Sequence, residues 1–216
     1  IFYGLPISVL EKFEDKIQRA QGKGTGSLSL RNEVKVFIKF LGNIKSDPRI
    51  IFDVGAHQGL WTHEIAEKVS NAEYYLFEPS SVNFSFLKDK FSEYKNIKVK
   101  NYALSDISGN ATLFFDVPGS GLSSLVKRDL SHFDIPFENS ESVQVCTLDS
   151  FVNENRVVPD AIKMDVEGLE LSVLRGGNET LKNVSLIQFE FGGSNIDSRV
   201  FLDRKSTRLN SSHGYI

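Results

Sequence analysis

Hydrophobic residues recur at helical spacing in the N-terminal part of the chain. One run of apolar residues three or four apart predicts a helix whose buried face comprises Leu10, Phe13, Ile17 and Ala20. A second run predicts a helix that ends at Gly42 and buries Val34, Phe37, Ile38 and Leu41. The glycine-rich stretch 21–27 between them is typical of a loop. Residues 1–46 are therefore predicted to be a helical preface.

From residue 49 onward, short apolar runs alternate with amphipathic stretches. Buried strands are predicted at 50–55, 74–79, 161–168 and 185–192, and another within 97–106. The stretches after the first two strands predict helices with buried faces of Trp61, Ile65 and Val69, and of Phe84, Leu87, Phe91 and Tyr94. Two further strands, ATLFFDV and SVQVCTL, flank a loop rich in glycine and serine. This alternation predicts an α/β fold with a mostly parallel sheet and helices on both faces.

Ligands of such sheets bind beyond the carboxyl ends of the strands, so the residues there are the first candidates for chemistry. The first strand ends in a turn that carries Asp53, Gly55, His57 and Gly59. Its G-x-x-x-G spacing leaves room for a ligand near a helix N-terminus, but it is not the G-x-G-x-x-G pattern of dinucleotide-binding proteins. A plain strand-to-helix turn explains the same glycines equally well, and both interpretations stay open.

Glu78 ends the second strand, 19 residues after Gly59. An acidic residue at this position accepts hydrogen bonds from ribose hydroxyls in nucleotide-binding folds. The neighbouring sequence contains no arginine to bind an extra phosphate, so the pattern favours a nucleoside with free ribose hydroxyls over a solvated strand-end carboxylate.

Four more carboxylates lie near the ends of the later strands, namely Asp165, Glu167, Glu170 and Glu190. A carboxylate beside a reacting hydroxyl can act as a general base, and paired carboxylates can hold Mg²⁺. Glu167 and Glu170 can instead stabilise a helix N-terminus, which is the interpretation we favour for Glu170. We expect Asp165 to be functional, either as a direct base or, with Glu190, as a ligand of Mg²⁺.

The loop 119–125 contains Ser123 and Ser124 and is either a substrate loop or a flexible connection.

The composition narrows the class of partner and the compartment. With 25 basic and 28 acidic residues the chain has a net charge of −3, which argues against a nucleic-acid substrate. Its single cysteine excludes a disulfide scaffold, and no apolar run is long enough to predict a membrane span. We also see no leader sequence, so these features together predict a cytoplasmic protein.

The last residues differ in character from the rest. The stretch 203–213 reads DRKSTRLNSSH, which resembles one reading frame of a sequencing-library adapter. We therefore expect a domain at 47–202 that is incomplete after its fifth main strand, followed by a foreign tail at 203–216. A sheet that ends there would expose an unpaired edge, which predicts poor stability or aggregation.

The strand-end motifs, taken in order, resemble those of FkbM-type methyltransferases. The likeness rests on DVGAHQGLWT, FEPS, NYALSD, TLDSFV, IKMDVEGLELSVLRGG and IQFEFG, and it covers residues 50–192. It implies a Rossmann-like class I methyltransferase fold that uses S-adenosylmethionine. It also implies O-methylation of a sugar, a glycan or a secondary metabolite.

The resemblance assigns roles to individual residues. Asp53, Gly55 and Gly59 would line the methionine end of the cofactor, with His57 in the same turn, and Glu78 would bind the ribose. Ser105 and Asp106 would lie near the adenine. Asp165 would face the transferred methyl group and the acceptor. Ser123 and Ser124 lie in a stretch that matches a small-residue loop common in the family, at a position that could face either ligand. They and the strand-end Glu190 are the candidates for contact with the substrate.

Two alternatives remain at this point. One is an NAD-dependent oxidoreductase on a Rossmann-like fold, against which the missing G-x-G-x-x-G pattern argues. The other is a nucleoside-binding module without catalytic activity. Binding of S-adenosylhomocysteine rather than NAD separates the methyltransferase from the first, and turnover separates it from the second.

Overall fold

The computed structural model describes residues 27–128 and 135–189. Its helices are α1 (Ser27–Leu41), α2 (Leu60–Ala66), α3 (Ser81–Lys90), α4 (Leu148–Asn155) and α5 (Glu170–Arg175), with a 3₁₀ turn at Thr180–Lys182. Its strands are β1 (Arg49–Val54), β2 (Ala72–Phe77), β3 (Ile97–Lys100), β4 (Ala103–Ser105), β5 (Gly109–Phe115), β6 (Asn139–Thr147), β7 (Ala161–Met164) and β8 (Leu186–Phe189). The first predicted helix, Glu190 and the tail 203–216 lie outside the described residues.

The main sheet has five strands in the order β3-β2-β1-β7-β8, and every pair in it is parallel. The chain first adds β2 and β3 on one side of β1. It then crosses to the other side of β1 and adds β7 and β8 there. This reversal beside β1 is the arrangement of doubly wound, Rossmann-like sheets, and it places the binding crevice between β1 and β7. The predicted α/β fold is confirmed.

The two faces of the sheet carry separate hydrophobic cores. On one face, Val34, Phe37 and Leu41 of α1 pack with α2, where the rings of Phe37 and Trp61 meet edge to face with centroids 4.9 Å apart. On the other face, Phe151 of α4 packs against aromatic rings of β1 and β2. The second predicted helix is confirmed, with Ile38 half-buried and the other three residues of the predicted stripe buried, and α1 packs directly on the domain core.

The predicted single strand within 97–106 is two strands in different sheets. β3 ends the main sheet, whereas β4 pairs in parallel with β6, which is antiparallel to β5. Asn101 lies between them, and its side-chain amide donates to the carbonyls of Glu78 (2.9 Å) and Pro79 (3.0 Å). This side chain fixes the chain at the end of β2, where it leaves the main sheet.

Helix α3 buries a different face from the predicted one. Leu87 and Phe91 are buried as expected, but Asn83 is buried in place of Phe84, which is half-buried. Tyr94 is exposed because the helix ends at Lys90, so the helical phase no longer applies there. Asn83 faces a polar interior beside Glu78, which explains why an amide occupies a helix face predicted to be apolar.

Candidate active site

A cavity of about 220 Å³ opens at the carboxyl ends of β1, β2 and β7. Seven of the candidate residues from the sequence line it, namely Gly55, His57, Glu78, Ser123, Ser124, Asp165 and Glu167. Apolar side chains of the second sheet and the loop after it complete the wall, among them Leu104, Leu113 and Leu125. The cavity thus lies in the crevice that the strand order predicts.

Gly55 lies where the backbones at the ends of β1 and β7 approach each other closely. Its φ is +79°, and a Cβ atom there would lie only 1.8 Å from the carbonyl oxygen of Asp165. Only glycine combines this backbone conformation with so close an approach. The first glycine of the turn therefore serves the contact between two strand ends in addition to bordering the cavity.

Glu78 is buried, with 5% of its surface exposed, and backbone N–H groups hold its carboxylate. His57 N donates to Oε2 at 2.7 Å and Ser80 N donates to Oε1 at 3.0 Å. Burial raises the pKa of this carboxyl above its usual range, and the two backbone N–H bonds only partly offset that effect. The side chain of Asn83 also bonds this carboxylate, and because a carboxylate can accept about four hydrogen bonds, Glu78 can still accept one from a ligand.

His57 connects Glu78 to the loop 119–125. Its backbone has a φ of +50°, and its ring Nε2 lies 2.9 Å from the carbonyl oxygen of Gly119. Because the same residue binds Glu78 through its backbone N–H, the position of the loop is linked to that of the carboxylate.

The loop 119–125 is an ordered wall of the cavity. Ser124 is buried and pairs through its backbone with Phe114 of β5, while its hydroxyl donates to the carbonyl of Glu167 at 3.3 Å. Ser123 donates to the carbonyl of Ser120 at 2.7 Å. Both serine hydroxyls therefore hold the loop together and fix it against the end of β7.

Asp165 stands at the other side of β1 from Glu78 and is far more accessible. Its side chain is 39% exposed, and one carboxylate oxygen lies 3.7 Å from Nζ of Lys163. Lys163 also lies 3.3 Å from a carboxylate oxygen of Asp53. The accessible carboxylate at the cavity wall is thus backed by a buried cation.

Glu167 and Glu170 have structural partners. Arg128 donates to Glu167 Oε2 at 3.2 Å. Glu170 is buried at the start of α5, and its Oε1 accepts from Gly168 N at 3.3 Å. The interpretation of Glu170 as a group that stabilises the helix N-terminus agrees with this geometry.

Four predicted residues lie outside the cavity lining within the described part of the chain. Asp53 is fully buried behind it, and Gly59 packs where a Cβ atom would lie 2.6 Å from the ring of Phe91. Ser105 and Asp106 border Gly176, where a Cβ atom would lie 2.0 Å from the carbonyl oxygen of Ser105. Their predicted contacts with the cofactor stay predictions.

Sequence reasoning missed three polar residues in or beneath the site, namely Asn83, Tyr102 and Lys163. Asn83 and Tyr102 line the cavity. A signal existed for Asn83, because it follows Ser81 at the start of a helix beside the strand-end Glu78. Lys163 stands inside an apolar run, where a lone cation is unusual.

In residues 27–128 and 135–189, no three His, Cys, Asp or Glu side chains come together in a way that could hold a metal ion. Glu190, the predicted partner of Asp165 for Mg²⁺, lies outside those ranges. Within them, no helix has the length and apolar character needed to cross a membrane.

Comparison with known proteins gives one family. The family model described as the methyltransferase FkbM domain matches residues 53–216. The chain is 25% identical over 199 residues to the 2-O-methyltransferase NoeI of Sinorhizobium fredii, covering 87% of this chain and 79% of that protein. It is 26% identical over 196 residues to the hexuronic acid methyltransferase AglP of Haloferax volcanii, covering 87% and 77%.

Among solved structures, the precorrin-6y C5,15-methyltransferase of Geobacter metallireducens matches with a TM-score of 0.44 and 10% identity, over 81% of this chain and 68% of that one.

Proposed function

The chain belongs to the FkbM methyltransferase family and uses S-adenosylmethionine as its methyl donor, and we propose that its acceptor is a hydroxyl group of a sugar or glycan. The observation that carries the proposal is the placement of two carboxylates, Glu78 and Asp165, in one cavity on either side of β1. The names of the two relatives, a 2-O-methyltransferase and a hexuronic acid methyltransferase, support a sugar acceptor.

The residues present fit this cofactor. Glu78 offers a buried acceptor at the end of β2, the position that binds ribose hydroxyls in related folds. Leu104, Leu113 and Tyr102 provide an apolar wall suited to a base. Gly55 borders the cavity without a side chain, so the backbone of the turn after β1 is open to a ligand. S-adenosylmethionine supplies a methyl group on a sulfonium, already activated for displacement.

Glu78 and its neighbours would orient the cofactor. Two backbone N–H groups fix the Glu78 carboxylate, and burial excludes competing water from it. Such pre-organisation favours methyl transfer, because the reaction depends mainly on the alignment of the donor with the attacking oxygen.

Asp165 would accept the proton of the acceptor hydroxyl. As the new oxygen–methyl bond forms, the hydroxyl oxygen loses its proton, and a carboxylate in contact with it can receive that proton. Asp165 lines the cavity and is accessible from solvent, as a base that meets an incoming acceptor must be. We do not include nucleic acids among the acceptors, because the chain carries a net charge of −3.

The test begins with calorimetric titration of S-adenosylhomocysteine and of NAD into the purified chain. We expect S-adenosylhomocysteine to bind and NAD not to bind. If a folded chain binds NAD and does not bind S-adenosylhomocysteine, the result would support the oxidoreductase alternative instead.

The second step measures methyl transfer from S-adenosylmethionine to a panel of methyl glycosides of hexoses and hexuronic acids. We expect turnover on at least one of them, and a loss of at least about 100-fold in kcat for Asp165→Asn with little change in S-adenosylhomocysteine affinity. Asp89→Asn, the same change at an exposed position of α3 away from the cavity lining, is the matched control. Full activity in Asp165→Asn would remove that residue from the proposed mechanism.

A further inference from the structure

Lys163 is a buried cation for which the proposed function gives no role. It is 8% exposed and stands in β7 between the buried apolar residues Ile162 and Met164. A lysine in the interior is costly unless it is paired. Its placement in the central sheet therefore calls for a specific reason.

The contacts of Lys163 join the two strand ends beneath the cavity. Its Nζ lies 3.3 Å from Asp53 Oδ1, 3.7 Å from Asp165 Oδ2 and 3.4 Å from the carbonyl oxygen of Gly55. The register of β1 and β7 sets Asp53 opposite Lys163. On the far side, Thr62 donates to Asp53 Oδ2 at 2.6 Å. A continuous polar chain thus runs from α2 through Asp53 and Lys163 to the cavity wall.

The ammonium group is a fixed charge rather than a base. Burial alone lowers the pKa of Lys163, but the carboxylates of Asp53 and Asp165 outweigh it and raise that pKa above its ordinary value. The group therefore stays protonated at neutral pH and cannot accept the proton of an acceptor hydroxyl. What it brings to the cavity is a positive charge next to Asp165.

That charge bears on the difference between the two forms of the cofactor. The donor carries a positive sulfonium, whereas the spent cofactor is a neutral thioether. A carboxylate beside the sulfonium stabilises the bound donor, and this stabilisation fades as the charge disappears toward the transition state. An uncompensated carboxylate would therefore hold the donor in place and slow its reaction, and a cation behind the carboxylate weakens this effect.

We propose that Lys163 is a charge-compensating positioning residue, which acts through Asp165 to limit the preference of the cavity for S-adenosylmethionine over S-adenosylhomocysteine. This rests on the proposed function, because it takes Asp165 to face the transferred methyl group. Lys163 thereby leaves Asp165 as a base without letting it become a strong binding site for the sulfonium.

The test compares the affinities of the purified chain for S-adenosylmethionine and S-adenosylhomocysteine by calorimetry, and it needs no acceptor. In Lys163→Met we expect the ratio of the two affinities to rise about fivefold in favour of the donor. In the Asp165→Asn background the same change should raise the ratio by less than in the unmodified chain, because the carboxylate through which Lys163 acts is no longer charged. Lys163→Arg keeps the charge and should restore the ratio of the unmodified chain.

Thr62→Val is the matched control, since it removes a hydrogen bond from the same Asp53 without touching Asp165. It should leave the ratio unchanged. If Lys163→Met fails to fold because Asp53 is left unpaired, the double variant Asp53→Asn with Lys163→Met removes both charges and should show a smaller rise, because Asp165 loses its neighbouring cation while the more distant negative charge of Asp53 is lost as well. A ratio that stays constant or falls in folded Lys163→Met or in the double variant overturns the proposal.

The two proposals fail in different ways. If the folded unmodified chain binds neither form of the cofactor, the placement of Glu78 and Asp165 is wrong and the role of Lys163 falls with it. If the unmodified chain binds both forms but the Lys163 variants leave the ratio unchanged, only the role of Lys163 is wrong.

Discussion

Glu78 and Asp165 occupy equivalent positions on parallel strands, one following β2 and the other following β7, and β1 separates them. Glu78 is buried and bound by two backbone N–H groups. Asp165 has a side chain that is 39% exposed and a lysine ammonium 3.7 Å away. The two sides of the cavity thus hold the same functional group in opposite surroundings.

The difference matches two kinds of recognition. A carboxylate held by fixed dipoles in a dry site keeps its geometry, which suits the binding of neutral hydroxyls. A carboxylate that is accessible and paired with a cation can meet an incoming acceptor and exchange a proton with it. In the proposed mechanism, a carboxylate at the same strand-end position would serve binding on one side of β1 and chemistry on the other.

The largest effect is expected at the point where the two sides meet. Gly55→Ala places a Cβ atom 1.8 Å from the carbonyl oxygen of Asp165 at a φ of +79°, so β1 and β7 must move apart. We expect a loss of at least about 3 kcal/mol in the free energy of unfolding, measured by urea denaturation. Gly121→Ala, whose Cβ atom would lie 3.6 Å from the His57 ring, is the control and should cost little. Equal stability of both variants would contradict this account of Gly55.

The next effect separates the two carboxylates by their part in binding. Glu78→Gln should weaken S-adenosylhomocysteine about tenfold or more, because an amide cannot accept both backbone N–H bonds and the ribose hydroxyls. Asp165→Asn should change the same affinity by less than about twofold, because the proposed interaction of Asp165 is with the sulfonium charge, which the neutral thioether lacks. Calorimetry on both variants measures the two affinities. Equal losses of affinity would show that Glu78 and Asp165 do not have separate roles in binding and catalysis.

A smaller effect is expected in the way the free energy of unfolding depends on pH. Because the pKa of Glu78 is raised in the folded protein, the native state keeps this proton to a higher pH than the unfolded chain. As pH rises between the two pKa values, the unfolded chain binds fewer protons than the native state, and the free energy of unfolding falls; the loss is complete above the native pKa. The stability of Glu78→Gln relative to the unmodified chain should therefore increase from pH 4 to pH 8. Thermal unfolding at each pH measures this, and a difference that declines with pH would reverse the sign of the shift.

The smallest effect probes the link between Glu78 and the loop. His57→Asn keeps a residue that tolerates a φ of +50° but removes the ring that contacts Gly119. We expect S-adenosylhomocysteine affinity to fall about threefold while the free energy of unfolding changes by less than about 1 kcal/mol. His63→Asn, at a half-exposed position on α2, provides the comparison. If both histidine variants bind alike, the loop is held independently of His57.

The sequence was sufficient for the strand ends because their positions follow from short-range patterns. Buried apolar runs locate β1, β2 and β7, and the rule for parallel sheets then places Glu78 and Asp165 at one edge. The glycines of the first turn were also predicted as site residues, but the structural requirement for glycine differs between the two positions. Gly55 permits the approach of Asp165, whereas Gly59 makes room for Phe91 of the neighbouring helix.

What sequence reasoning missed depends on contacts between distant segments. The buried position of Lys163 is explained only by the strand register that sets Asp53 opposite it, and no local pattern in the sequence predicts that register. Asn83 is buried because Glu78 makes its surroundings polar, which overrides the apolar periodicity of α3. The break between β3 and β4 likewise depends on the side chain of Asn101 binding back to the end of β2.

The packing of α1 shows that the folded domain extends beyond the segment that the family model matches. The family match begins at residue 53, yet β1 starts at Arg49 and the Phe37 ring of α1 rests on Trp61. A gene fusion that began at residue 53 would carry the recognisable motifs but only the last two residues of the central strand. The segment that the family model matches therefore begins later in the chain than the segment that packs into the core of this domain.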